Sequence, residues 1–97
     1  MPLLQLRDQH PGDNLDHAVA FADWLDGDEL ASQVVTASAG ITLGTGGKAP
    51  SIVGDDVVFW LTGGTSGTTY TVEVTVTTTG GRTRVVDCAI AISDPTP

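Results

Sequence analysis

The sequence predicts an all-β fold, an immunoglobulin-like β-sandwich of about seven short strands preceded by an extended N-terminal arm. Three observations predict it. Tyr70, Val72, Val74 and Val76 alternate with Thr69, Thr71, Glu73, Thr75 and Thr77, the period of a strand buried on one face. Tyr70 stands directly after the glycine-rich stretch Gly63–Thr68 and heads the penultimate strand, the place of the tyrosine corner in such sandwiches. The chain has 97 residues, near the usual length of one sandwich domain.

The elements follow in order. Met1–Asn14 contains two prolines, a glycine and little alternation. It reads as an arm, residues 1–14, carrying Leu3, Leu4 and Leu6 as exposed apolar teeth for a partner. Extended at roughly 3.3 Å per residue, it reaches on the order of 40 Å, beyond its own domain. The expectation is an arm mobile in the isolated protein and ordered against another chain. The sandwich proper takes residues 15–94. Its first strand starts at Leu15 and runs towards Leu25, although the alanine-rich stretch Ala18–Trp24 also suits a helix. Asp26-Gly27-Asp28 is a turn by its chemistry. A second strand spans about Glu29 to Ala37, and a short third spans Ala39 to Leu43.

Gly44–Pro50 carries three glycines and a proline and reads as a loop. Val53–Leu61 is the next strand, with Val57, Phe59 and Leu61 on one face and Val58 and Trp60 on the other. Two apolar faces predict a covered or interfacial strand, and Trp60 becomes a candidate partner contact. The last two strands, Thr69–Thr77 and Arg82–Ile92, are joined by Thr78-Thr79-Gly80-Gly81. Gly80 and Gly81 are structural candidates there, available where a hairpin needs positive backbone angles. Residues 95–97 read as a frayed tail.

Charge narrows the function classes. The net charge is −8, with Arg7, Lys48, Arg82 and Arg84 as the only lysines and arginines. No basic face can be assembled for nucleic acid, and anionic membrane surfaces are disfavoured. The single cysteine, Cys88, allows no internal disulfide. Its parity with Val86, Ile90 and Ile92 makes it a small core residue. The opening residues show neither a basic leader nor a long apolar run, so synthesis in the cytoplasm is expected.

Catalytic chemistry is not visible. His10 and His17 lie in no metal or catalytic motif, and Gly63–Gly67 lacks the lysine of a phosphate loop. Asp23, Asp26, Asp28 and Glu29 form the densest acidic cluster. Their spacing does not match a calcium loop, so a solvated acidic turn is favoured over a calcium site. No enzyme activity, cofactor or metal is expected. The threonine-rich outer face of Thr69–Thr79 fits ordinary β-propensity. It also fits a sheet laid against a neighbour through hydroxyls.

The chain resembles the small phage fiber–tail adaptor proteins. The resemblance runs through Leu15-Asp16-His17, Asp23-Trp24-Leu25, Gly27–Ser32 and Ala39–Thr42. It is closest in Val57–Val72, and ends with Thr77–Thr83. It implies a bacteriophage virion structural protein, made in the host cytoplasm and built into the tail. Its role would be an adaptor joining fiber to tail by protein–protein contacts in a symmetric assembly. It implies no catalytic residues. A capsid decoration protein is the alternative within virion proteins, and an adhesin-like or carbohydrate-binding sandwich, using Trp24 or Trp60, is the alternative outside them.

Overall fold

The computed structural model describes residues 4–6 and 8–93. Its elements are β1 (Leu4–Gln5), β2 (Asn14–Ala20), α1 (Ala22–Leu25), β3 (Leu30–Ala37), β4 (Ile41–Leu43), β5 (Ser51–Val53), β6 (Asp56–Gly63), β7 (Thr68–Thr78) and β8 (Thr83–Ile92). A single 3₁₀ turn occupies Gly46–Lys48. The strands form two sheets, one in the order β1-β8-β7-β3 and the other β2-β6-β4, with β5 also paired to β6. The protein is all-β, and its two sheets share one core.

That core follows from the alternation. Val57, Phe59 and Leu61 of β6 face Tyr70, Val72, Val74 and Val76 of β7 and Cys88, Ile90 and Ile92 of β8, all buried. At roughly 1.5–3 kcal/mol per fully buried large apolar side chain, this cluster supplies the main drive to fold. Few aromatics contribute, so branched aliphatics fill the space between the sheets. The β7–β8 ladder runs unbroken from Thr68↔Ile92 to Thr77↔Thr83, as the alternation predicts.

Three boundaries differ from expectation. The first predicted strand stops at Ala20, and Ala22–Leu25 closes into a helical turn. The alanine-rich stretch is thus divided between strand and helix. The helix ends because Asp26 and Gly27 both take positive φ, 47° and 89°, the conformation that stops a helix. Val53–Leu61 is two strands, since Val53 pairs with Asp56 across a turn at Gly54 and Asp55. The third strand starts at Ile41, after a turn at Gly40.

The arm is corrected more deeply. Leu4 and Gln5 pair in parallel with Cys88 and Ala89, and the Leu6 amide donates to the Ala89 carbonyl at 2.8 Å. Leu6 is buried in the sandwich's own core and has no surface to offer a partner. Gln9 is buried as well. Its amide donates to the Ala91 carbonyl and its carbonyl accepts from the Ser93 amide. The physical reason is that an edge strand leaves a row of unpaired backbone groups. On β8 that row lies within reach of the segment expected to stand away. Leu3 and residues 95–97 lie outside the described residues.

Candidate functional site

Three constructions hold the molecule's surfaces in place. The first is the corner at Tyr70. Its ring is buried, and its hydroxyl accepts a hydrogen bond from the Thr65 amide at 2.8 Å. Hydrogen bonds from the Thr65 side chain and backbone hold the phenol below its ordinary pKa, because they stabilise the charged form. Gly64 at φ 93° lies against the ring and Ile92: a Cβ there would come within 2.8 Å of Ile92 Cγ1 and 3.0 Å of Tyr70 Cε2. Only glycine satisfies both the backbone angle and the close approach.

The second is a buried polar staple between the sheets. Gln9 Nε2 donates to the Leu61 carbonyl at 2.6 Å, while Gln9 Oε1 lies 2.9 Å from His17 Nε2. His17 in turn stacks on Phe59, with centroids 6.0 Å apart. The N-terminal segment thus ties β8 to β2 and β6. Nothing in the local pattern near Gln9 signals this, since glutamine is usually an exposed residue.

The third joins the β7–β8 turn to α1. Asp28 accepts from Thr79 Oγ1 at 2.9 Å, the Gly80 amide at 3.1 Å and the Glu29 amide at 2.8 Å. Arg82 Nε lies 3.1 Å from its other oxygen. Hydrogen bonding by Thr78 above all, then by Glu29, Thr79 and Arg82, holds this carboxyl well below the usual carboxylate range. The Arg82 guanidinium also donates to the Trp24 and Leu25 carbonyls and lies 4.6 Å from the centre of the Trp24 ring. The acidic cluster around Asp26-Gly27-Asp28 therefore serves a structural bond through Asp28. Among the described residues, no three His, Cys, Asp or Glu side chains converge as a metal site would require.

The hairpin glycines divide their roles. Gly81, at φ 88°, meets the expectation of a positive angle. Gly80 does not: it is required because a Cβ would fall 2.7 Å from Asp28 Oδ2. Of the expected partner contacts, Leu4 is exposed at the sheet edge. Trp60 is half-buried on the outer face of β6, under Lys48 Nζ at 4.2 Å from its ring. Trp24 is covered by Arg82 and Arg84. Neither indole is a bare platform for a sugar ring.

Two sheet faces remain as the broad outer surfaces. On the sheet containing β7, the outward residues Thr69, Thr71, Glu73, Thr75 and Thr77 alternate with the buried row, as predicted. Among the described residues, no helix is long and apolar enough to cross a membrane. Cys88 is fully buried, and burial, with Asp87 nearby, pushes its thiol up to about 11.

No curated protein matches the chain. The family described as podophage GP4 fiber-tail adaptor protein gp77 matches residues 9–91, a span that takes in the Gln9 staple, the Tyr70 corner and the Asp28–Arg82 turn. With most of its length matched, this chain belongs to that family of phage fiber-tail adaptor proteins.

Proposed function

We infer that the protein is a tail component of a bacteriophage virion and joins fiber to tail by protein–protein contacts. The observation that carries this reading is the family match over residues 9–91. The architecture supports it. A sandwich whose Tyr70 corner, β7–β8 turn, Leu6 and Gln9 are tied to the rest of the domain suits a stiff spacer, and a spacer between two large assemblies has to hold their orientation. The immunoglobulin-like class is part of the same reading. It is supported by the Tyr70–Thr65 bond at the corner and by two sheets packed on one aliphatic core. Symmetric copies, each contributing modest contacts, would act together through avidity. Among the described residues of the expected contact set, Leu4 and Trp60 keep accessible surface, at the β1 edge and the β6 face.

The test is location. Particles grown with an epitope-tagged copy are labelled with gold and split into capsid and tail fractions. Label at the tail–fiber junction, and fibers lost from particles lacking the protein, are the expected results. Label over the capsid shell would replace this reading with a decoration protein.

A further inference from the structure

The geometry points to the outer face of the β3-β7-β8 sheet as a docking surface for a protein partner that presents a basic and apolar surface; this rests on the adaptor reading above. Strand register places side chains on this face in rows. One row is Val34, Thr75 and Val85, which stand directly opposite one another. Val34 is 62% exposed and Val85 41%. They are two of the four strongly exposed large apolar side chains among the described residues. The next row, two positions along each strand, is Thr36, Glu73 and Asp87. These three side chains line one shallow depression with Thr71.

Two features of this arrangement need a partner. Glu73 and Asp87 are like charges directly opposite on neighbouring strands, a pairing that destabilises an isolated sheet. No lysine or arginine belongs to the outward rows of β3, β7 or β8 to relieve it. Beside the carboxylates, two valines, one on β3 and one on β8, face water where β-propensity alone would be met by threonine, as it is at Thr71, Thr75 and Thr77 of β7. An apolar strip bordered by uncompensated charge is what an interface presents when its partner supplies the complement.

The partner is a protein of different composition rather than a second copy. Within this chain Lys48 lies over Trp60, and Arg82 and Arg84 lie over Trp24. The described cations are thus already engaged, on other surfaces. With a net charge of −8, copies also repel one another face to face. Nucleic acid is repelled by the same charge.

The decisive variant is Glu73→Gln with Asp87→Asn, which keeps shape and removes charge. Relief of the opposed carboxylates keeps the melting temperature of the purified protein unchanged or raises it. Complementation in trans of a phage lacking the gene then reports occupancy per particle. Expected are lower occupancy and, when purified protein is added in vitro to particles lacking it, capture slower than wild type by about tenfold or more, the scale of electrostatic steering, a gap that narrows as salt rises. Val34→Ser with Val85→Ser is expected to fold and to lower occupancy independently, with no salt dependence. Asp55→Lys, an exposed charge on the other sheet's turn, should incorporate normally. Full occupancy of both double variants overturns the docking face and leaves the adaptor reading standing. Wild-type protein absent from tails overturns the adaptor reading itself. A calcium-dependent rise in melting temperature, lost in the charge-free variant, would overturn the docking role by making the carboxylate pair a metal site.

Discussion

Arg82 Nε sits 3.1 Å from Asp28 Oδ2, joining residues 54 positions apart in sequence. The pair fixes the β7–β8 turn to the C-terminal end of α1. Its acceptor carboxyl is held below the ordinary range, so its contribution is pH-dependent. A depressed carboxylate contributes stability that is complete above its unfolded pKa, about 3.9, and fades as pH falls through the folded value. Asp28→Asn should therefore be less stable than wild type at neutral pH. The difference should shrink steadily in denaturant titrations taken from about pH 5 down to pH 2. A constant gap across that window would show that the carboxylate charge plays no part.

Tyr70→Phe removes the acceptor for the Thr65 amide while leaving the ring in place. The expected loss is about 1 kcal/mol, the net worth of one such hydrogen bond, read as a lower denaturant midpoint with an unchanged slope. Gly64→Ala should be worse than Tyr70→Phe, because it combines a strained backbone angle with contacts to Ile92 and the Tyr70 ring. The reverse order would mean that the corner is not packed as described.

The N-terminal segment should behave as part of the domain. Leu6→Ala is expected to cost about 2–5 kcal/mol, the range for truncating a buried leucine. Deleting residues 1–12 should lower the melting temperature sharply, since it takes away Leu6, the β1 pairing and the Gln9 staple. A truncated protein with wild-type stability would restore the mobile arm expected from sequence.

Cys88 should resist thiol reagents in the folded state. With its thiol pushed up to about 11 and no exposed surface, labelling should track global unfolding and accelerate only through the denaturant transition. Rapid labelling of native protein would mean that β8 is shifted by one residue, exchanging its faces.

The strands that alternate strictly are legible in the sequence itself. Tyr70 to Val76 and Val86 to Ile92 need only the period of two. The corner tyrosine is legible too, because its place after the glycines announces a local geometry. Phe59, Val57 and Leu61 declare one buried face by the same rule. The fate of the N-terminal segment is not legible. Whether Leu6 meets solvent, a partner or its own core depends on the free edge of β8, more than 80 residues away. Likewise no local rule sends Gln9 between the sheets, sets Asp28 under Arg82, or requires Gly80 for the space that Asp28 occupies. Side-chain period is a property of a short stretch and can be read from it. The pairing of distant edges, the burial of a polar group and the alignment of Val34, Thr75 and Val85 into one row exist only once register is set across three strands, and tertiary structure alone decides them.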